Sequence, residues 1–487
     1  MSEKTEKEFP EILDNSPERY RKERQRHWDA VAESRDRQRG WGGYYHQRLK
    51  EIYRFLIPSG MRVMEIGCGE GELLAALKPS RGVGVDFSSG MLKRAQDRYP
   101  ELEFVAADAH ALDIDGEFDF IILSDLVNDL WDVQTVFGEI GKIASPSTRL
   151  IINTYSRLWE LPLAAAKSLR LATPSLVQNW LTCEDIDNLL HLAGFEVIRH
   201  WEEILFPLDW PIVTPFCNRY LIKLWPFNIF TLTHFITARR AATASCAVDP
   251  WVSVVVPARN EAGNIRQIIQ RTPEMGRGTE LVFVEGNSTD NTYEAIAAAL
   301  PAYPSRRCLL FRQEGQGKGD AVRMGFKKAG GDILMILDAD MTVPPEDLPR
   351  FYNILVSGQG EFANGVRLVY PMEKEAMRFL NLLGNKFFSL AFSWLLGQPV
   401  KDTLCGTKAL WRRDYERIAA GRSYFGDFDP FGDFDLLFGA AKLNLKIRDV
   451  PIRYRERTYG ATNIRRWRHG WLLIRMMLFA LRRMKFV

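Results

Sequence analysis

The chain predicts an α/β protein of two doubly wound domains joined by an apolar connector. Three observations carry that prediction. At 487 residues the chain exceeds what one hydrophobic core usually organises. Short apolar runs alternate twice with amphipathic stretches, the pattern of parallel strands covered by helices on both faces. The two alternating regions also open on unlike signatures. The first is Val63-Met64-Glu65-Ile66-Gly67-Cys68-Gly69-Glu70-Gly71, and the second is Val252-Ser253-Val254-Val255-Val256-Pro257-Ala258-Arg259-Asn260-Glu261.

Taken in order, residues 1–40 are dense in Glu, Lys and Arg and hold no apolar run of signal-peptide length. A solvated or partly helical arm is expected there. The first domain, 41–204, places strands at 62–66, 82–86, 102–106, 118–124 and 149–154, with helices over 72–77 and 90–99 between them. Residues 205–248 break the rhythm with Pro207, Pro211, Pro215 and Pro226 among many aromatics. They read as a connector packed on one or both domains, since a free linker would be more polar. The second domain, 249–465, places strands at 252–256, 280–285, 308–312 and 332–337. No internal repeat relates the two halves.

Composition narrows the class. With 46% apolar and 26% charged residues the chain is globular, neither disordered nor wholly embedded in lipid. Its six cysteines are scattered without a CxxC pair, which argues against zinc ligation and a disulfide framework and suits a reducing cytosol. From Lys446 onward twelve Lys or Arg face two acids, so a basic end follows an acidic remainder. That asymmetry suggests an anionic partner such as phosphate or a phospholipid head group. The end carries no recognised nucleic-acid motif, and no nucleic-acid partner is expected.

Two segments bear on membranes. Over 376–396, Arg378, Asn381, Asn385, Ser389 and Ser393 form a narrow polar stripe on an otherwise apolar helix. Over 466–487, Arg468, Arg475 and Arg482 fall seven apart among Trp, Leu and Met, giving a basic amphipathic helix. Neither offers an uninterrupted apolar run of spanning length. Both suit a helix lying in the bilayer interface, and the first equally suits a core helix with one wet edge.

The first signature is a strand, a glycine loop and a helix, which lets backbone approach a ligand closely. Asp86 ends the next strand, where a carboxylate grips ribose hydroxyls. Asp108 and Ala109 follow the third strand, and Ser124 and Asp125 end the fourth. Residues 61–155 resemble a class I S-adenosylmethionine-dependent methyltransferase of Rossmann-like fold. A dinucleotide-binding oxidoreductase is the competitor, but its spacing is GxGxxG whereas Gly67, Gly69 and Gly71 give GxGxG. The resemblance implies that Glu65, Gly67, Gly69, Gly71, Asp86, Asp108, Ala109 and Ser124 bind S-adenosylmethionine. The base that would take a proton from the methyl acceptor stays open among His110, Asp129 and Tyr155.

The second signature is answered downstream by Leu334-Met335-Ile336-Leu337-Asp338-Ala339-Asp340. Two acids at i and i+2 after a strand can converge on one divalent cation, magnesium or manganese, which neutralises a departing diphosphate. With Val284-Glu285-Gly286-Asn287-Ser288-Thr289-Asp290 and Gly317-Lys318-Gly319, the order of motifs over about 251–465 resembles a family 2 glycosyltransferase of GT-A fold. The resemblance implies a nucleotide-sugar donor contacted by Pro257, Asn260, Glu261, Glu285, Lys318 and Asp338, metal held by Asp338 and Asp340, and inversion at the anomeric carbon. Val400-Lys401-Asp402 and the basic stretch from Arg453 through Arg457 to Gly460 lean toward the dolichol-phosphate mannosyltransferase-like branch. That branch implies a polyprenyl-phosphate acceptor, or a related glycan intermediate, met at the inner face of the cytoplasmic membrane by a peripheral enzyme. Asp340, Asp402 and Asp433 are the catalytic candidates. Asp433 or Asp435 would serve as base if the acceptor were instead a soluble hydroxyl, with the first domain then a non-catalytic scaffold. The sequence departs from that branch in having Thr342-Val343 where Gln-His follows the acidic motif, and Thr462-Asn463 where Ser-Lys follows the basic loop.

Overall fold

A computed structural model describes residues 17–34, 43–168, 176–242, 249–367, 369, 379–422, 433–455, 457, 459 and 466–486. The chain forms two compact units, Met1–Arg240 and Ala241–Val487, each built on its own seven-stranded sheet.

In the first unit the strands are β1 (Arg62–Ile66), β2 (Arg81–Asp86), β3 (Glu103–Ala106), β4 (Phe120–Ser124), β5 (Arg149–Tyr155), β6 (Phe195–Glu203) and β7 (Thr233–Arg240). Their order is β3-β2-β1-β4-β5-β7-β6, parallel from β3 to β5. Strand β7 runs antiparallel to both β5 and β6. The parallel strands form because Val63, Met64, Val85, Ile121, Ile122, Ile151 and their neighbours are buried on both faces, each contributing roughly 1.5–3 kcal/mol of apolar burial. Strand order reverses between β1 and β4, which opens a crevice at their C-terminal ends.

Three helices frame that crevice: α1 (Pro17–Ser34), α2 (Gly43–Leu56) and α3 (Glu72–Ala76). Helix α1 lies within the stretch expected to be a solvated or partly helical arm. It is instead docked on the unit, with Ala32 and Arg24 buried.

The connector expected over 205–248 is corrected by the same sheet. Residues 233–240 are a central strand, and 205–232 are an excursion between two antiparallel partners. The pairing recruits β7 because its Phe235, Ile236 and Ala238 fill the core, while Arg239 reaches Glu196 at 2.8 Å.

The second unit holds β8 (Trp251–Ala258), β9 (Gly278–Glu285), β10 (Arg307–Arg312), β11 (Ile333–Ile336), β12 (Phe362–Val366), β13 (Lys408–Trp411) and β14 (Ile447–Pro451). The order is β10-β9-β8-β11-β13-β12-β14, with β13 antiparallel to both β11 and β12. The reversal falls between β8 and β11. The helix Phe379–Leu396 buries Phe392, Leu395 and Leu396 against Phe434 and Phe438. Its serines, Ser389 and Ser393, donate to the Val400 carbonyl at 3.0 and 3.1 Å, so that end of the polar stripe anchors the following turn. The opposite side exposes Phe387, Leu390 and Trp394. The C-terminal helix Arg466–Ala480 likewise buries Leu473 and Met476 and exposes Trp471 and Leu478. No helix among the described residues is long and apolar enough to cross a membrane.

Candidate active sites

At the reversal of the first sheet the chain leaves β1 through three left-handed glycines, Gly67 (φ 75°), Gly69 (φ 51°) and Gly71 (φ 72°). A Cβ on Gly67 would meet Leu126 at 2.8 Å, and one on Gly71 would meet Phe104 at the same distance. Only glycine fits this turn. Asp86, at the end of β2, accepts the Gly69 and Ser88 N–H groups at 2.9 Å each and so pins the loop. Burial pushes its carboxyl up, partly offset by those hydrogen bonds.

A cavity of about 270 Å³ opens beside the loop, lined by Gly67, Asp86, Asp108, Ala109 and His110 on the sheet side. Helix α1 closes it with Pro17, Tyr20, Arg21 and Arg24. Arg21 pairs with Asp108 at 2.5 Å, and Asp29 accepts from Ser88 at 2.6 Å and from the Gly90 N–H at 3.1 Å. For Asp108, burial pushes the carboxyl up, but hydrogen bonds from His110 and the Arg21 charge outweigh it and leave it below the usual range.

Glu65, Gly69, Gly71 and Ser124 do not line this cavity. Glu65 is 3% exposed behind the loop, with one carboxylate oxygen buried and unpartnered. Burial pushes its pKa up to about 8 despite a hydrogen bond from the Leu74 backbone. The cradle fits S-adenosylmethionine. Gly67 opens onto the cavity, and two acids at successive strand ends, Asp86 and Asp108, face it.

Of the three proposed bases, His110 is engaged at both nitrogens, with Asp108 at 2.8 Å and the Asp132 N–H at 3.1 Å. Asp129 is held by Arg24 at 3.0 Å and Trp28 at 2.9 Å. Tyr155 instead joins a polar cluster around Asp125. There Tyr45 donates to Asp125 at 2.7 Å, Asn153 donates to the same oxygen at 2.5 Å, and Tyr53 donates to Asn153 at 2.7 Å. Asp125 sits in a left-handed conformation (φ 54°), a strained geometry typical of functional turns. Burial pushes its pKa up to about 6, against the hydrogen bonds from Tyr45, Tyr155 and Asn153. The sequence placed Asp125 at the right sheet edge; only its company of tyrosines singles it out.

At the reversal of the second sheet, three turns converge. Each carries a left-handed non-glycine residue: Asn260 (φ 58°) after β8, Asn287 (φ 54°) after β9 and Met341 (φ 58°) after β11. Asn260 accepts the Thr289 N–H at 2.8 Å, and buried Glu285 accepts the Ser288 N–H at 2.5 Å. Pro257 closes β8 opposite Val284. Asn264 ties the first turn to the third by donating to Glu261 at 2.8 Å and to the Ala339 carbonyl at 3.1 Å.

Each acid of the third turn meets a cation of the chain. Lys318 Nζ lies 2.6 Å from Asp338, and Arg457 lies 2.8 Å from Asp340 and 3.2 Å from Glu261. Burial pushes the Glu261 pKa up to about 7, with the Arg457 charge opposing and the Asp340 charge reinforcing. Thr342, where the related branch carries Gln, donates to Asp340 at 2.8 Å, and its carbonyl accepts the Arg455 N–H at 2.9 Å. Tyr459 packs on Gly263, where an added Cβ would strike its ring at 2.6 Å. The basic loop is thus fastened across both acidic turns, while Arg453 stays exposed.

Among the described residues no group of three or more His, Cys, Asp or Glu is placed to hold a metal ion. Two hard carboxylates beside an open turn nonetheless fit a cation whose remaining ligands come from a diphosphate and water.

Asp402 is corrected as a catalytic candidate. It is 2% exposed, and Arg367 takes both its oxygens at 2.7 and 2.9 Å. Burial alone would raise its pKa, but the Arg367 charge holds it below the ordinary range. The helix Asp433–Lys442 begins at Asp433, whose side chain lies outside the described residues, and Asp435 is paired with Arg422 at 2.9 Å.

Residues 35–200 match the family model described as a methyltransferase domain, and residues 253–418 match that of glycosyl transferase family 2. Among curated proteins, the chain is 27% identical over 243 residues to the low-salt glycan biosynthesis hexosyltransferase Agl6 of Haloferax volcanii, covering 48% of this chain and 55% of that protein. It is 32% identical to the dolichol-phosphate mannosyltransferase of Pyrococcus furiosus, covering 44% of this chain and 59% of the relative. It is 33% identical to the undecaprenyl-phosphate 4-deoxy-4-formamido-L-arabinose transferase of Pseudomonas aeruginosa, covering 43% and 59%. The chain therefore spans little more than half the length of these relatives. The first unit thus carries a segment that matches a methyltransferase domain, and the second a segment that matches glycosyl transferase family 2.

Proposed function

We propose that the second unit transfers a sugar from a nucleotide-sugar donor to a polyprenyl phosphate or membrane-associated glycan intermediate, inverting the anomeric carbon. In this reading the first unit binds S-adenosylmethionine and methylates an acceptor of the same pathway. The observation that carries the glycosyl half is the fastening of the basic loop across the acidic turns, with Arg457 bridging Asp340 and Glu261. An arginine so placed can serve an acceptor phosphate next to the donor diphosphate.

A divalent cation, magnesium or manganese, would neutralise the departing diphosphate while held by Asp338 and Asp340. Lys318, on the helix that follows the Gly317 turn, supports the same anion from the other side. An acceptor phosphate is already ionised, so transfer needs no strong base. The burial of Asp402 against Arg367 accords with that. In the first unit a bound methyl donor would supply an electrophilic carbon, and Asp125 would take the proton of an acceptor held against Tyr45 and Tyr155. The exposed apolar residues Phe387, Leu390, Trp394, Trp471 and Leu478, beside the basic end, support peripheral attachment to the inner face of the cytoplasmic membrane.

The test is a donor screen: full-length protein, several nucleotide sugars and a polyprenyl phosphate, with nucleotide release as the readout. Asp340→Ala should abolish release and leave S-adenosylmethionine affinity unchanged by calorimetry. Retained release in that variant would remove the metal assignment, and undetectable cofactor binding would remove the methyl half.

A further inference from the structure

The excursion between β6 and β7 is built inside out. Its polar side chains point inward: Thr214, Asn218 and Thr231 are each at most 1% exposed. Asn218 accepts the Leu205 and Phe206 N–H groups at 2.8 Å each, and its amide donates to the Phe206 carbonyl at 2.7 Å. Thr231 donates to the Glu203 carbonyl at 2.6 Å, and Lys223 is spent on Glu203 at 2.5 Å. These bonds fix the segment to the unit. Ile222 is buried, but six apolar side chains are left outside: Trp210, Ile212, Phe216, Trp225, Phe227 and Phe230 are all exposed, Ile212 to 84% and Trp225 to 80%.

Two further features separate this surface from scattered exposed apolar residues. Residues 210–232 contain no Asp or Glu and two cations, Arg219 and Lys223. Ile212 also sits at a turn with φ 69°, where a β-branched side chain is strained and glycine or asparagine would be free. Large apolar side chains gathered on the outside of one short segment, over buried polar anchors, mark an interaction site. Tryptophans with prolines, an acid-free sequence and rigid inward hydrogen bonding match a surface that enters the head-group region of a bilayer.

We propose that residues 210–230 of the methyltransferase unit form a membrane-docking surface whose partner is a phospholipid bilayer. This surface shares no residue with the first unit's cavity and belongs to a different unit from the basic C-terminal helix. It therefore stands whichever acceptor the second unit uses.

The experiment is flotation of the full-length protein with vesicles of phosphatidylethanolamine and phosphatidylglycerol, at low and at high salt. The variants are the triple Ile212→Ser/Trp225→Ser/Phe230→Ser and, separately, Trp471→Ser/Leu478→Ser. S-adenosylmethionine binding reports that the first unit of the triple variant is folded. Apolar insertion resists salt whereas the arginine-rich helix does not, so wild type should keep a bound fraction at high salt. The triple variant should lose that fraction by about tenfold or more, the effect of removing three exposed apolar side chains. The Trp471→Ser/Leu478→Ser variant should keep it. Equal high-salt flotation of the triple variant and wild type overturns the proposal. So does a change confined to oligomeric state by light scattering, which would make this face a contact between two copies. Loss of binding only in Trp471→Ser/Leu478→Ser would place docking on the second unit and likewise overturn it.

Discussion

Replacing Arg457 by Gln should strengthen metal binding and weaken catalysis, two effects that usually run together. Arg457 touches Asp340 at 2.8 Å and Glu261 at 3.2 Å, with the arginine about a quarter exposed and the acids less so. Burial costs this guanidinium, but the charges of Asp340 and Glu261 outweigh it and raise its pKa. A cation taking Asp340 as ligand must first end the Arg457 contact. A hydrogen bond between two charged groups contributes about 1.5–3 kcal/mol, so that exchange weakens the metal by about ten- to a hundredfold. The Gln variant no longer incurs that cost. Manganese titration followed by electron paramagnetic resonance, with no nucleotide present, should show affinity rising within that range. Sugar transfer should nonetheless fall, because the group offered to the acceptor phosphate is gone. Unchanged or reduced manganese affinity would refute the exchange and leave Arg457 a purely structural tie.

Three other outcomes follow from buried carboxylates. Glu65 is protonated in the fold below about pH 8 but ionises near 4.5 when exposed, so the folded state binds the extra proton in that window. Stability of the first unit should therefore fall as pH rises from about 4.5, by about 3 kcal/mol at pH 7, and Glu65→Gln should flatten that dependence in thermal melts; an unchanged slope counts against the burial argument. Asp402→Asn strands the buried Arg367 charge and should cost the second unit about 3–5 kcal/mol, while transfer per folded molecule persists; activity lost with full stability would restore Asp402 to catalysis. Methyl transfer relying on Asp125 should climb as pH rises through about 6, where its carboxyl ionises, and Asp125→Asn should lower it at every pH without loosening cofactor binding.

What the sequence made legible were the parallel strands and the turns that follow them. A strand buried on both faces must be a continuous apolar run, so β1, β4, β8, β9 and β11 announce themselves, and the site residues lie at their ends. The antiparallel strands carry no such run. Strand β7 ends in Arg239 and Arg240, and β13 is Lys408-Ala409-Leu410-Trp411; each is a strand only because a neighbour pairs with it. The connector was misread for a related reason. Its aromatics look like core residues by composition, whereas the hydrogen bonds of Asn218 and Thr231 decide which way they face. Local pattern does not encode that choice. Asp402 was misleading in the same sense. It sits in a motif, but Arg367, which consumes it, lies 35 residues earlier with no spacing rule to link them.

The two donor sites share a physical arrangement that neither motif contains. Acids gathered to receive a ligand repel one another and lose hydration when that ligand is absent, so each needs a compensating charge. The chain supplies one internally for three of them, Arg21 for Asp108, Lys318 for Asp338 and Arg457 for Asp340, whereas Asp86 is held by backbone N–H groups. Each cation comes from an element that borders the site: helix α1, the helix after the Gly317 turn, and the basic loop. Ligand binding by charge exchange would therefore release those elements. In the glycosyltransferase unit the released group is the one best placed for an acceptor phosphate, which would order the reaction with donor before acceptor. The same exchange in the methyltransferase unit would loosen α1, the helix that closes the cavity, so the step that seats the cofactor also governs its confinement.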